Sequence, residues 1–378
     1  MLDNAPIGHF ETRYSKRGFP VQVWVRDMPR FDDSIIDCVV YLYPSEAAAE
    51  DGEKIGGSGF LVGAGLADEN RTIVSHLPCV VTNRHVVRDG NMVVRINTRD
   101  GGTDIVALDG EEWIYHPDGD DIAVCPIGLH FMHKCKCIPD LGGLNNRKII
   151  DQLDIGIGDD VVVPGRFINR EGKNQNTPAL RFGNISQMPK EPMIMSDGFA
   201  QEAFLVEVRT LSGYSGSPVF LYILPQPSLE NVPEDQRKHI YRQFPGVREK
   251  RRNMNIGFPP ILLGMAFCYI YSNEQVHNKR TGQLVPDHFV RTNTGMMGVV
   301  PVWKLVDIFL GGPMNKIKEE AEAELRKRQD ESGVGLATAH SDSDQQSDHD
   351  QTDNPQHKED FNRLLGEAVQ KPQPDGQT

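Results

Sequence analysis

The sequence predicts a mainly β protein, a sandwich or barrel of short strands between about residues 19 and 309. Three observations predict it. Short, β-branched apolar runs are cut repeatedly by Gly, Asp, Asn and Pro over that span. Glycine (36) and proline (25) are abundant enough to supply many turns. No regular alternation of strand-like and helix-like segments, the mark of a parallel sheet, accompanies the runs.

In chain order, the runs at 21–25, 38–43, 59–62, 79–82, 92–96 and 122–125 read as strands of a first β unit. A turn-rich, polar stretch between Leu129 and Asp159 separates them from a second set at 160–163, 204–208, 218–223, 261–270 and 298–300. After Val300, the apolar residues of 301–309 are spaced as on a helix, with Pro301 at its start. The span 315–329, rich in Glu, Lys, Ala and Arg, is also helical in pattern.

The expected organisation is an N-terminal extension (1–18), a main domain (19–312) and a C-terminal appendage. Within the main domain, the first unit covers about 19–130, a linker 131–158 and the second unit 159–312. The appendage comprises a helix (313–330), an acidic linker (331–358) and a short amphipathic end (359–378). The linker is poor in large apolar residues and cannot bury enough surface to order itself, so it reads as disordered. In the end segment, Phe361, Leu364, Leu365, Ala368 and Val369 share one helical face, which makes 360–369 a candidate docking motif for a partner protein.

Bulk properties exclude several function classes. The net charge of −13 argues against a general nucleic-acid or acidic-membrane binder. Residues 313–378 hold fifteen acidic and eight basic residues, so about half of the excess charge sits in the appendage. The loop 225–260 carries seven basic residues, but acidic neighbours dilute it and no aromatic ladder accompanies it, so it reads as a solvated loop. No apolar stretch approaches the roughly 20 residues of a membrane span. The start lacks the basic and apolar regions of a secretory signal, which leads us to expect a cytoplasmic protein. Cys38, Cys79, Cys125, Cys135, Cys137 and Cys268 are then expected as reduced thiols.

Three segments carry chemistry. His85 follows an apolar strand in Val80-Val-Thr-Asn-Arg-His-Val-Val87. Asp121 enters another strand in Gly119-Asp-Asp-Ile-Ala-Val-Cys125. Ser215 sits in a turn of small residues in Leu211-Ser-Gly-Tyr-Ser-Gly-Ser-Pro218. A serine hydroxyl needs a neighbouring base to become a nucleophile, and an imidazole suits that role near neutral pH. A carboxylate holds the imidazole tautomer and stabilises the imidazolium that forms. Glycines beside the serine let the turn bring backbone N–H groups to a developing oxyanion. Taken singly, His85 reads as a structural histidine, Asp120 and Asp121 as turn residues, and the serine turn as common. Their joint order and placement give the signal its weight.

Thr82-Asn-Arg-His85, Asp121-Ile-Ala-Val124 and Gly213-Tyr-Ser-Gly-Ser-Pro218 resemble the His, Asp and Ser boxes of trypsin-like serine proteases. Gly57-Ser-Gly-Phe-Leu-Val62 resembles the strand before the His box, and 285–300 the closing strands. The resemblance spans about residues 20 to 310 and is nearest to the bacterial intracellular branch. It implies two six-stranded antiparallel β-barrels with the site between them, and His85, Asp121 and Ser215 as catalytic triad. Gly213 and Ser215 would supply the oxyanion hole, and Ala266, Phe267, Cys268 and Tyr269 would pair with the substrate backbone. No metal or cofactor is implied. Asp121 is preferred over Asp120 because Ile-Ala-Val follows it directly.

Tyr214 departs from the family, standing where secreted relatives have an Asp that pairs with a freshly cut amino terminus. Activation by such a cut is therefore not expected. Ser217 replaces a glycine, a mild change. Arg209 lies near where relatives place the residue at the base of the specificity pocket, but the surrounding loops differ too much to equate the two.

His130, His133, Cys135 and Cys137 offer four metal-ligand types within eight residues, but zinc sites usually draw paired ligands from separated segments, so a connecting loop is the reading. The function expected is a serine endopeptidase acting on protein or peptide substrates. The alternatives are a catalytically silent module that grips an extended peptide, and a protease recruited through its tail.

Overall fold

In the computed structural model, residues 9–14, 20–25, 33–139, 147–152, 154–167, 170–195, 198–208, 214–222 and 261–334 are described. Arg209, Gly213, the basic loop, most of the acidic linker and segment 359–378 lie outside these residues. Strands β1 (His9–Tyr14) and β2 (Pro20–Val25) form an antiparallel pair. Next come β3 (Val39–Tyr43), β4 (Gly57–Ala67), β5 (Ile73–Thr82), β6 (Val93–Asn97), β7 (Thr103–Ala107), β8 (Ile114–Tyr115) and β9 (Ala123–Pro126). They make one seven-stranded sheet in the order β7-β6-β3-β4-β5-β9-β8.

The second sheet contains β10 (Asp160–Gly165), β11 (Ala179–Gln187), β14 (Phe204–Val208), β15 (Pro218–Leu221), β16 (Leu262–His277) and β17 (Leu284–Pro301). It closes on itself, because β10 pairs with β15 through Val161↔Leu221 and Val162↔Phe220. A small hairpin of β12 (Met193–Ile194) and β13 (Ala200–Gln201) stands outside it. The protein is mainly β, as the sequence predicts. Of the two six-stranded barrels implied by resemblance, the second unit has that form. The first is instead a seven-stranded sheet, and its terminal strand β8 is only two residues long.

Side-chain alternation explains why the first sheet reads as continuous apolar runs. On β3, Val39, Tyr41 and Tyr43 enter a large core shared with the second barrel, while Val40 and Leu42 enter a smaller one. Cys79 and Val81 against Val80 on β5 repeat the pattern, as does Val124 against Ala123 and Cys125 on β9. A strand buried on both faces carries no polar face to alternate with.

Helix α1 (Glu46–Asp51) is capped by Ser45, whose hydroxyl accepts the Ala48 N–H. Helix α2 (Arg84–Arg88) follows β5 directly, and α3 (Lys148–Gln152) lies in the stretch between the units. Helix α4 (Val302–Phe309) buries Val302, Trp303, Leu305, Ile308 and Phe309. Helix α5 (Gly312–Val334) then starts inside the core with Met314 fully buried; Ile317, Ala321 and Leu325 pack on the same core. Glu322 Oε1 also accepts the Ala67 N–H at 2.8 Å. The first turns of this helix therefore belong to the packed domain.

The loop joining β10 to β11 ties the second unit to the first through a buried cation. Arg95 on β6 is 0 % exposed. Its guanidinium donates to Asn176 Oδ1 (2.8 Å) and to the carbonyls of Ala49 (3.1 Å), Lys173 (3.0 Å) and Gly172 (2.9 Å). It also lies 5.0 Å from the Tyr43 ring centroid. Burial lowers its pKa, so these acceptors are what keep the charge tolerable. Arg95→Met strands them without a donor and should cost about 3 kcal/mol or more, read from the urea midpoint. A midpoint unchanged from wild type would contradict this role.

Candidate active site

β5 ends at Thr82, and Asn83 turns the chain into α2 in extended conformation, its side-chain amide donating to the Asp121 carbonyl at 2.8 Å. Val86 and Val87 point into the small core, which anchors this short helix and leaves His85 half exposed. Asp121 precedes β9, the neighbour of β5, so the sheet brings it beside His85. Its Oδ2 lies 2.7 Å from His85 Nδ1, and its Oδ1 accepts the His85 backbone N–H at 2.9 Å. One carboxylate thus fixes both ring and backbone. Burial pulls the imidazole pKa down, but the hydrogen bond and charge of Asp121, with Asp89 beyond, outweigh it and leave His85 above its ordinary 6.5.

Asp120 points elsewhere. It is buried, with Lys304 Nζ and His116 Nδ1 each 3.0 Å from Oδ2. Burial alone would raise its carboxyl, but His116 and Lys304 outweigh that and hold it below the usual carboxylate range. Gln201 on β13 spans the two aspartates: its Nε2 donates to Asp120 Oδ1 (2.6 Å), and its Oε1 accepts the Asp121 N–H (3.0 Å). Nothing in the sequence marked this glutamine, since its role depends on packing across 80 residues.

Ser215 lies at the second position of a four-residue turn, 214–217, closed by the Ser217 N–H on the Tyr214 carbonyl at 2.9 Å. Gly216 has φ +83°, as the third position of a type II turn requires, and a Cβ there would overlap the Ser58 carbonyl and the Thr82 hydroxyl. The turn is seated on both units. Ser215 O accepts the Ser58 N–H, and Gly216 N–H donates to Ala266 O, each at 2.9 Å. Among the described residues the Ser215 N–H has no acceptor, which leaves it available to an oxyanion.

The Ser215 hydroxyl donates to the Phe267 carbonyl at 3.4 Å, and no hydrogen bond joins it to His85 in this structure. The surroundings of the two residues adjoin. Phe267 lines the same cavity of about 370 Å³ as Arg84, His85, Asp121 and Phe199, and Gly57 packs between the Val86 side chain and the Ser215 carbonyl. Of the four residues expected to pair with substrate, Ala266 has both backbone groups engaged by the turn, its N–H on Ser217 O and its C=O by Gly216. It shapes the turn and offers no free N–H. Phe267 is buried, whereas Cys268 and Tyr269 are partly exposed.

Of the four candidate metal ligands, the two histidines have other partners. His133 Nε2 is 2.9 Å from Asp104 Oδ2, and its Nδ1 accepts the His130 N–H. His116, Asp118 and Asp120 do cluster, but the Lys304 ammonium already sits on Asp120. All six cysteines are unpaired; burial pushes the Cys135 and Cys268 thiols up to about 11 and Cys137 up to about 12.

Residues 57–222 match the family model described as trypsin-like peptidase domain. Over those residues, less than half of the chain, the protein is similar to a trypsin-like peptidase domain. No curated protein matches it in sequence. Among solved structures, it is similar to the HtrA-type protease AlgW, as a serine-to-alanine variant with a decapeptide. That match has TM-score 0.37 and 13% identity, and covers 72% of this chain and 62% of AlgW. Deg5 matches with TM-score 0.32 and 19% identity, over 50% of this chain and 76% of Deg5. An M. tuberculosis protein in its inactive form matches with TM-score 0.34 and 13% identity, over 72% and 85% of the two chains. At these values the structural likenesses add nothing to the reading of the site.

Proposed function

We propose that this protein is a serine endopeptidase that cleaves protein substrates through an acyl-enzyme on Ser215. The observation that carries the reading is the two-point grip of Asp121 on His85, beside a turn that presents a serine hydroxyl and an N–H with no acceptor among the described residues. With Nδ1–H held by Asp121, Nε2 is the basic nitrogen. It takes the Ser215 proton as Oγ attacks the scissile carbonyl. The oxyanion is met by the Ser215 N–H and, by family resemblance, by that of Gly213. The imidazolium then gives its proton to the leaving amine. A water, deprotonated by the same nitrogen, attacks the acyl carbon, and the returning proton frees Ser215. No cofactor takes part in this scheme.

The Ser215–Phe267 hydrogen bond also fits one other reading, a silent module that grips a peptide without cutting it. Catalytic hydrogen bonds often tighten only when substrate binds, so the bond is compatible with either. Hydrolysis of a quenched fluorescent peptide library separates them: cleavage lost in Ser215→Ala supports the protease, and no cleavage of any member supports the module.

The pH profile gives a sharper test. The base must be neutral to accept the serine proton, so kcat/KM falls as pH drops through the His85 pKa. Because that pKa is raised, the acid limb is expected above pH 6.5. A limb well below that value would contradict the assignment. We also place the protein in the cytosol, a setting that suits its six unpaired cysteines.

A further inference from the structure

Tyr214 immediately precedes the nucleophile and is held from two sides. Its side chain is 0 % exposed. Arg181 on β11 donates from Nε to the Tyr214 hydroxyl at 2.7 Å, and its guanidinium lies 5.3 Å from the Tyr214 ring centroid and 4.9 Å from that of Phe167. From the other side, the Tyr269 hydroxyl on β16 accepts the Tyr214 backbone N–H at 2.8 Å. Gly165 makes room, since a Cβ there would overlap the Ser217 hydroxyl and press on the Tyr214 ring.

We propose that Arg181 and Tyr269 are positioning residues that keep the nucleophile turn in working shape by clasping Tyr214. The proposal rests on the protease reading above. Its physical basis is the order of peptide planes. The plane joining residues 214 and 215 carries the Tyr214 carbonyl on one side, bonded by the Ser217 N–H, and the Ser215 N–H on the other. Pinning Tyr214 through its own N–H and its phenol fixes the residue on which that plane pivots. The Ser215 N–H then points one way before substrate arrives, which is what an oxyanion donor needs. Secreted relatives by resemblance stabilise this turn with an Asp and a freed amino terminus. Here the cation is an internal arginine, and the group it holds is a phenol.

The test compares Tyr269→Phe, which removes only the accepting oxygen, and Tyr214→Phe, which removes only the group Arg181 holds, in the full chain. Loss of one aligned oxyanion donor costs about 100-fold or more in kcat, so a loosened donor should cost about 10-fold. We expect kcat to fall about 10-fold in each variant, with KM within about twofold and the acid limb unmoved, because His85 and Asp121 are untouched. Hydrogen exchange at the Tyr214 amide should quicken about 10-fold in Tyr269→Phe, also in a Ser215→Ala background, while the amides of β3 and β5 stay protected. That last arm does not depend on activity. If wild type cleaves nothing, the protease reading fails while exchange still decides the clasp. Wild-type kcat with wild-type exchange in both variants would overturn the proposal, as would exchange that quickens equally throughout β3 and β5. Should Tyr269→Phe fail to fold, the kcat-against-KM split in Tyr214→Phe decides: an unchanged kcat overturns the clasp.

Discussion

Replacing Ser215 by alanine is expected to lower peptide hydrolysis about a million-fold while leaving the protein folded. Members of a triad act as a unit, so removing the nucleophile alone forfeits nearly the whole of their joint effect. What remains comes from substrate binding and from the oxyanion donors, neither of which needs the hydroxyl. Stability should change little. The Ser215 Oγ makes one long hydrogen bond, 3.4 Å to Phe267, whereas the turn is held by backbone bonds and by Gly216. The check is kcat on a cleaved peptide together with the thermal midpoint. A residual rate within tenfold of wild type would show that another residue carries the chemistry.

The second large effect separates two adjacent aspartates. Asp121→Asn should reduce kcat about 10,000-fold with little loss of stability. An amide nitrogen facing His85 Nδ1 forces that ring atom to accept and leaves the proton on Nε2, the nitrogen that must take the serine proton. Asp120→Asn should do the reverse. It breaks a buried pairing with Lys304 and His116, which costs about 3 kcal/mol, while kcat at saturating substrate stays near wild type at a temperature where the variant is folded. The sign with pH follows from the depressed Asp120 carboxyl. Its stabilising contribution is present above the unfolded carboxylate pKa and is lost as pH falls through the lower folded value. Asp120→Asn should therefore flatten part of the acid limb of stability. If Asp120→Asn abolished kcat and Asp121→Asn did not, the two roles would have to be exchanged.

The strands of the first unit are legible where β3, β4, the second half of β5 and β9 are buried on both faces, as in the apolar runs 39–43, 60–62, 79–81 and 123–125. Strand β7 was missed because it is only half buried and its Thr103-Asp-Ile-Val-Ala107 lacks such a run. Of the β16–β17 ribbon, the resemblance gives β17 over 285–300, but the apolar run at 261–270 stops short of the end of β16 at His277. The ribbon's outer part, from Tyr271 to Leu284 and on to Asn293, is largely exposed and polar, held by pairing between its own two strands. Composition places helix α5 in an appendage and cannot reveal that Met314 fills the core, since that depends on where α4 leaves the chain.

At the site, the residues proposed to carry chemistry sit in local boxes that can be read from the sequence. The residues that support them cannot. Gln201 reaches Asp121 from 80 positions away, and Tyr269 reaches Tyr214 from 55. Nor does a tyrosine in a strand announce that its hydroxyl will accept a backbone N–H.

Covalent capture tests the central claim most directly. The full-length protein is incubated with a fluorophosphonate and the adduct located by peptide mass spectrometry. The account predicts a single adduct on the Ser215 hydroxyl, lost in both Ser215→Ala and His85→Ala. No adduct at all, or one at Ser215 that persists at an undiminished rate in His85→Ala, would contradict it.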